Sequence, residues 1–203
     1  MTDPKFDIVA RAEEIVEREV RGVGALAGQF DEGLQDVVSL LLTCQGKVLV
    51  AGAGTSHAVA RRFAHLLSCS GTPALCINAA DSLHGGAGAV TGLDVVYVIS
   101  KGGRTAEINR FVEIARDRGA KIIAQTESPA SPLGALSDAI YTVRAPQDVD
   151  PYGMIATGSS LVNSAACDVL CVLLLELRGY SRAAFAKTHP GGAVGERLEQ
   201  EGR

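Results

Sequence analysis

The chain has 203 residues, 47% of them hydrophobic, so it is long enough to bury a full core, and its length favours a single domain, residues 1–203. Its 19 Lys and Arg residues and 23 Asp and Glu residues leave a net charge of −4, which lacks the basic excess typical of nucleic-acid-binding proteins. The five cysteines show no C-x-x-C pair or Cys/His metal spacing, and the N-terminus has no long apolar segment. We therefore expect reduced core thiols, no metal, no signal peptide or membrane anchor, and a cytoplasmic protein.

Two amphipathic helices are predicted ahead of the first strand. Apolar residues recur with a helical period between Phe6 and Phe30, and a second helical segment runs from Leu34 to Leu42. Within residues 6–44, these helices are expected either to cover the sheet or to pair with a second copy of the chain.

Five short runs rich in Val, Ile and Ala alternate with helical segments from Lys47 onward. The central runs are uniformly apolar, as is typical of parallel strands that helices cover on both faces. The pattern predicts a doubly wound α/β fold with strands at VLVAGAG, PALCIN, DVVYVIS, KIIAQT and AIYTVRA.

A final long helix is predicted from Ser159 to Leu177, and it is apolar on nearly every side. Its length approaches that of a membrane-spanning helix, but Asn163 and Asp168 lie within it. Polar residues of this kind favour a helix that is buried or that forms a subunit interface.

The loop GAGTSHA, Gly52 to Ala58, follows the first strand and begins a helix. Ligands of open parallel sheets bind beyond the carboxyl ends of the strands, where the free N–H groups of a helix attract anions. An NAD site is not expected, because His57 replaces the third glycine of G-x-G-x-x-G and no acidic residue ends the second strand. The P-loop motif is also missing, so the loop predicts a phosphate site, formed by Gly54, Thr55 and Ser56, and no cofactor.

A second glycine-rich loop, SKGGRTAEI, follows the third strand and again begins a helix. Hydroxyl, backbone N–H and cationic groups in this loop, with the hydroxyls of the later TGSS cluster, could contact an anion. Gly, Ser and Thr are also ordinary turn and N-cap residues, but their recurrence at two strand ends favours one phosphate held between the loops. The candidate residues are Ser100, Lys101, Gly102, Gly103, Arg104, Thr105, Thr157, Ser159 and Ser160.

Two of the four histidines lie in glycine-rich segments. His189 precedes a proline and two glycines in KTHPGGAVG, and His84 lies in DSLHGG. Imidazole can exchange protons near neutral pH, but such loops also hold structural histidines, so the residues alone leave both roles open. His57 and His65 are eight residues apart on one predicted helix and are expected to be surface or helix-packing residues.

The motifs GAGTS, ISKGGRT and HPGGAVGERL resemble the sugar isomerase (SIS) domain, and the last motif with DSLHGG resembles its D-arabinose 5-phosphate isomerase branch. The resemblance extends from about Val37 to Leu198. It implies a three-layer α/β/α sandwich of flavodoxin-like type and phosphosugar binding. It also implies a homodimer or homotetramer with sites at subunit boundaries. Long members of the branch carry a pair of CBS domains, which this chain is expected to lack.

The resemblance also implies roles for individual residues. Ser56, Ser100 and Thr105 fall on phosphate-binding positions, and His84 and His189 fall on family histidines. Aldose–ketose isomerisation through an ene-diol needs one proton transfer between carbons and another between oxygens. We expect His189 to be the base at carbon and His84 to transfer the proton between the oxygens.

Two acidic residues, Asp148 and Glu107, are expected to orient or assist these histidines. Glu107 has a simpler alternative role as a favourable charge at a helix N-terminus. The branch usually has Glu where Asp148 aligns, so this position departs from the pattern.

Three further positions depart from the branch, which usually has Lys at Thr55, Ser at Gly102 and Glu at Arg104. The leading expectation is a phosphosugar aldose–ketose isomerase with an arabinose 5-phosphate/ribulose 5-phosphate-like substrate. The lost Lys and Glu favour an alternative, a regulatory module or sensor that binds a phosphosugar without converting it. A third alternative, a protein–protein interaction module, leaves the glycines and hydroxyls of the loops unexplained.

Overall fold

A computed structural model describes residues 7–201, and a five-stranded parallel sheet lies at its centre. The strands are β1 (Val48–Gly52), β2 (Ala74–Cys76), β3 (Val95–Ile99), β4 (Lys121–Thr126) and β5 (Ala139–Thr142). Their order in the sheet is β2-β1-β3-β4-β5, and every neighbouring pair is parallel. All five strands predicted from the apolar runs are confirmed.

The helices alternate with the strands along most of the chain. They are α1 (Ile8–Gly24), α2 (Glu32–Thr43), α3 (Thr55–Cys69), α4 (Ala79–Ser82), α5 (Ala106–Asp117), α6 (Pro132–Leu136), α7 (Gly158–Leu177), α8 (Arg182–Thr188) and α9 (Gly192–Glu201). The long predicted helices after β1, β3 and β5 correspond to α3, α5 and α7.

Two helical layers cover the two faces of the sheet. Val48 and Val50 point to the face covered by α2, α3 and α7, whereas Leu49 and Ala51 point to the face covered by α4, α5 and α6. This alternation follows from the two-residue period of a strand, and both faces are apolar because both are buried. The three-layer α/β/α sandwich is confirmed.

The first predicted helix, Phe6 to Phe30, is shorter in the structure. The Asp7 carboxylate accepts hydrogen bonds from the N–H groups of Val9 and Ala10 and so begins α1 at Ile8, while Phe6 lies outside the described residues. The helix ends at Gly24, and a 3₁₀ turn follows over Ala25–Gly28. Gly24 and Gly28 explain why the helix ends before Phe30, because glycine disfavours a continuing helix. α1 packs on α7, and α2 packs on β5 and α7.

Helix α7 is the one helix in residues 7–201 that is long and apolar enough to cross a membrane. It packs instead against α1, α2 and α3. Its two polar residues have partners in the fold: the Asn163 amide oxygen accepts from Gln125 Nε2 at 2.7 Å, and the Asp168 carboxylate accepts from both terminal nitrogens of Arg62 at 2.6 and 2.9 Å. These contacts are those of a core helix.

Candidate active site

A cleft of about 450 Å³ lies at the carboxyl ends of β1, β2 and β3. β1 and β3 are neighbours, but the chain leaves β1 through α3 on one face of the sheet and leaves β3 through α5 on the other. The two connections diverge there and leave a crevice, the usual ligand site of such sheets. Its walls are formed by Gly52, Ala53, Gly54, His57, Asn78, Ala79, Ala80, Thr105, Glu107 and Ile108.

The loop after β1 is shaped by two glycines. A side chain at Gly52 would lie 2.7 Å from the backbone carbonyl group of Ser56, so only glycine lets α3 begin this close to the strand. Gly54 has a φ of 56°, which glycine adopts most easily. Gly54 and Thr105 are the N-caps of α3 and α5, and neither helix start is capped by a side chain of the described residues. Both positive helix ends are therefore open to an anion.

The loop after β3 is a tight turn held by backbone hydrogen bonds. Gly103 has a φ of 62°, and its N–H donates to the Ser100 carbonyl oxygen at 3.2 Å. A side chain at Gly103 would lie 2.7 Å from Cβ of Ser131, so glycine is needed for both conformation and space. Ser100 is buried, whereas Gly102 and Arg104 are exposed. Thr105 is the residue of this predicted set that reaches the cleft wall, alongside Glu107 of α5.

Lys101 lies against two carboxylates rather than on the cleft wall. Its Nζ is 3.5 Å from Oδ2 of Asp150 and 3.9 Å from Oε1 of Glu127. The Asp150 side chain is only 3% exposed and also accepts a hydrogen bond from the Ser159 N–H at 2.9 Å. Burial alone would raise the pKa of Asp150, but the hydrogen bonds from Ser159 and the Lys101 charge outweigh it and lower the pKa.

The TGSS cluster begins α7 and lies outside the cleft wall. The Thr157 hydroxyl donates to the Val149 carbonyl oxygen at 3.4 Å, and the Ser160 hydroxyl donates to the Thr157 carbonyl oxygen at 2.8 Å. Ser159 is buried, with its N–H bound to Asp150. The structure therefore shows these residues as helix-start contacts, linked to the second loop through Asp150 and Lys101.

Thr55 and Ser56 begin α3 directly after the cleft residue Gly54. His84 and Asp148 lie further away. His84 is exposed in the turn after α4, and Asp148 is exposed in a 3₁₀ turn, with a carboxylate oxygen 3.9 Å from a terminal nitrogen of Arg21. Neither residue is on the cleft wall of its own chain.

His189 follows α8 and also lies off the cleft wall of its own chain. Its Nδ1 is 3.0 Å from the Phe185 carbonyl oxygen, and its ring stacks on the Phe185 ring with centroids 3.8 Å apart. A carbonyl oxygen can only accept, whereas the Thr188 hydroxyl, also 3.0 Å from Nδ1, can donate or accept, so together these contacts favour the tautomer with the hydrogen on Nδ1. In the neutral ring, Nε2 then has a free lone pair and can act as a base.

His57 lies on the cleft wall, although the sequence predicts a surface or helix-packing residue. Its Nδ1 is 3.9 Å from the Cys76 thiol of β2. His65, two turns later on α3, fits the prediction better: it is exposed, with Nε2 3.5 Å from the Cys69 thiol. Besides His57, sequence reasoning missed Glu127 and Asp150. The available signals are that Glu127 directly follows β4 and that Asp150 shortly precedes TGSS.

Comparisons of sequence and of structure with known proteins point to the same family. A family model described as SIS domain matches residues 41–173. Over 193 residues the chain is 33% identical to arabinose 5-phosphate isomerase KdsD of Pseudomonas aeruginosa; the match covers 95% of this chain and 59% of that relative. A solved structure from Listeria monocytogenes has a TM-score of 0.89 at 29% identity, covering 94% of this chain and all of that one. Escherichia coli CFT073 c3406 in complex with arabinose 5-phosphate has a TM-score of 0.87 at 28% identity, with the same coverage.

Proposed function

Because the chain belongs to the SIS domain family, we propose that it is a phosphosugar aldose–ketose isomerase. The observation that carries this proposal is the cleft between β1 and β3, where two uncapped helix starts, an imidazole and a carboxylate open onto one space. The similarity to arabinose 5-phosphate isomerase KdsD and to the sugar-bound c3406 protein supports an arabinose 5-phosphate/ribulose 5-phosphate-like substrate.

In this proposal the phosphate binds between the two glycine-rich loops. Gly54, Thr55 and Ser56 contribute the start of α3, and Ser100 and Thr105 contribute hydroxyls from the loop after β3. Backbone N–H groups at helix starts bind phosphate well because the helix dipole and the hydrogen bonds act in the same direction. The exposed Gly102 and Arg104 can complete the site from the solvent side.

The reaction proceeds through an ene-diol with a histidine as the base at carbon. His189 has the free Nε2 that this role requires, but it is off the cleft wall of its own chain. We therefore propose that His189 reaches the cleft of a second copy, in line with sites at subunit boundaries. Asp148 and His84 are also off the wall of their own chain, and we propose the same manner of contribution for them.

The test is hydrogen exchange in heavy water. The full chain is incubated with arabinose 5-phosphate or ribulose 5-phosphate, and deuterium incorporation beside the carbonyl is followed by proton NMR. We expect incorporation together with interconversion of the two sugars. Exchange is the sharper readout, because it detects ene-diol formation even where the equilibrium conceals net conversion.

One observation favours the second candidate, a phosphosugar sensor. The ammonium of Lys101 lies against Asp150 and Glu127, and Thr55 replaces the Lys that is usual in the branch, so Arg104 is the one cation of the two loops without a carboxylate partner among the described residues. The test uses a panel of pentose, hexose, hexulose and aminosugar phosphates. If pentose 5-phosphates bind and raise the melting temperature but no sugar of the panel exchanges deuterium, the sensor function replaces the isomerase function.

A further inference from the structure

We propose that His57 is a catalytic residue of the cleft, which exchanges protons with O1 and O2, the oxygens bound to the two substrate carbons that change oxidation level. The sequence assigns this task to His84, but His57 is the histidine on the cleft wall. The proposal rests on the isomerase function proposed above and assigns the second of its two proton transfers.

The first step of the argument is topological. α3 and α5 lie on opposite faces of the sheet, and each begins at the carboxyl end of one of two neighbouring strands. His57 is in the first turn of α3, and Glu107 is in the first turn of α5. The two side chains therefore enter the crevice from opposite walls, next to the loops proposed to hold the phosphate.

The second step concerns the freedom of the imidazole. Among residues 7–201, the ring of His57 has one hydrogen-bonding partner, the Cys76 thiol at 3.9 Å. A thiol is a weak donor and a weak acceptor, and a contact of this length does not hold the ring in one tautomer. His189 differs, because its Nδ1 lies 3.0 Å from both the Phe185 carbonyl oxygen and the Thr188 hydroxyl, and these contacts favour one tautomer. His57 can therefore both donate and accept a proton during one turnover.

The third step is the proton balance. The base at carbon takes the proton from C2 while His57 gives a proton to O1, which forms the ene-diol. His57 then takes the proton from O2 while the base returns its proton to C1, which gives the ketose. Both groups end in their starting states, and no oxidant or reductant is needed. A carboxylate such as Glu107 can accept a hydrogen bond from the substrate hydroxyls or from the ring.

The alternative role, a helix-packing residue, has a matched control in the same helix. His65 is on α3 two turns after His57, it also contacts a cysteine thiol, and it does not line the cleft. If His57 only packs the helix, replacing either histidine by glutamine should have the same small effect. If His57 is catalytic, only the first replacement should affect turnover.

The experiment compares wild type, His57→Gln and His65→Gln as full chains with arabinose 5-phosphate in heavy water. Isomerisation and deuterium exchange are measured by NMR, sugar binding by calorimetry and folding by thermal melting. We expect His57→Gln to lower kcat by about 10²–10⁴-fold, with Kd changed by less than about threefold. We also expect exchange to fall less than isomerisation, because an ene-diolate that cannot move its oxygen-bound proton can still revert. His65→Gln should stay within about twofold of wild type.

Two outcomes overturn the assignment of His57 while leaving the isomerase standing. One is an active wild type with a His57→Gln variant within about threefold of its kcat. The other is a His57→Gln variant whose loss of activity is explained entirely by a higher Kd, which would mark a binding residue, or is equalled by that of His65→Gln, which would mark a packing residue. A wild type that binds the sugar but neither exchanges nor isomerises it overturns the proposed function, and His57 then has no catalytic role.

Discussion

The imidazole that follows α8 is held in one orientation by its immediate neighbours. The Phe185 carbonyl oxygen orients the ring of His189 through Nδ1, and the Phe185 side chain stacks on it, so the direction of Nε2 is fixed before any substrate binds. A base held in one orientation loses less entropy in the transition state than a mobile one. This arrangement matters only if another copy of the chain presents its cleft to that nitrogen.

We expect His189→Gln to abolish deuterium exchange while phosphosugar affinity stays within about tenfold, because an amide cannot take the proton and the anion loops are untouched. Exchange by NMR and binding by calorimetry separate the two effects. His84→Gln is the control and should slow exchange much less. A His189→Gln variant that still exchanges at the wild-type rate would remove His189 from the mechanism.

A second prediction at the residue scale concerns Gly52. A methyl group there would lie 2.7 Å from the Ser56 backbone, so Gly52→Ala must displace the start of α3. We expect a loss of about 1–3 kcal/mol in the free energy of unfolding, measured in urea, and weaker binding of inorganic phosphate. Gly28→Ala is the control, since an added Cβ there meets no atom within 4 Å. Equal stability of both variants would show that α3 tolerates the shift.

The residues of the cleft were only partly predictable from the sequence. Gly54 and Thr105 follow from the rule that anions bind at helix starts beyond strand ends, and Glu107 follows from its place in the second loop. His57 is predicted to be a surface or helix-packing residue, because its eight-residue spacing from His65 places both on one helix and does not show which of them reaches the crevice. Its place in the cleft depends on the order β2-β1-β3-β4-β5, in which β3 borders β1.

At the scale of elements, Asp150 connects the start of α7 to the loop after β3. Its carboxylate accepts a hydrogen bond from Ser159 and pairs with Lys101, and its side chain is almost fully buried. A charge-assisted hydrogen bond to a buried group stabilises a fold more than an exposed ion pair does. The contacts of Asp150 should therefore contribute more to the free energy of unfolding than the ion pair of Asp148 with Arg21.

We therefore expect Asp150→Asn to lower the free energy of unfolding by about 1–3 kcal/mol at pH 7, whereas Asp148→Asn should change it little. The pKa of Asp150 is lowered in the fold, so its stabilisation is present above the ordinary aspartate pKa near 3.9 and is lost as the pH falls through the lowered value. Denaturation curves from pH 2 to 7 should show the wild type and Asp150→Asn converging at low pH. A constant difference would contradict this origin.

The long helices were predictable because each contains several repeats of the helical hydrophobic pattern. α3, α5 and α7 each span 12 residues or more, enough for the helical period to be read. α4 and α6 have four and five residues, which is too short for a periodic signal. Their starts depend instead on side chains that accept from the backbone, namely Asn78 and Ser131.

At the scale of the whole molecule, α7 keeps an apolar stripe that no described residue covers. Leu161, Val172 and Leu175 are 44%, 54% and 37% exposed, and they recur at a spacing that keeps them on one side of the helix. Grooves of about 410 and 420 Å³ run along α7, between α3 and α7 and between α2 and α7. A stripe of this kind beside such grooves is typical of a surface that another chain covers.

We expect the protein to be a homodimer or larger in solution, with this stripe in the contact. Val172→Glu and Leu161→Glu should then lower the mass measured by light scattering at micromolar concentration, because each would bury a carboxylate among apolar side chains without a partner. Leu93→Glu is the matched control. Leu93 is 63% exposed, but it lies in the loop before β3 and lines neither groove along α7, so the mass of this variant should equal that of wild type.

The same variants link assembly to chemistry. If His189 serves the cleft of another copy, Val172→Glu should lose deuterium exchange in proportion to its loss of the assembled form, and exchange should recover at protein concentrations that restore assembly. Phosphate affinity of the separated chains should change less, because both anion loops belong to one chain. Two results would contradict the proposal that His189 acts across a subunit boundary: a monomeric wild type, or a monomeric variant with full exchange per chain. In either case the cleft residues His57 and Glu107 would be the groups to test for the base.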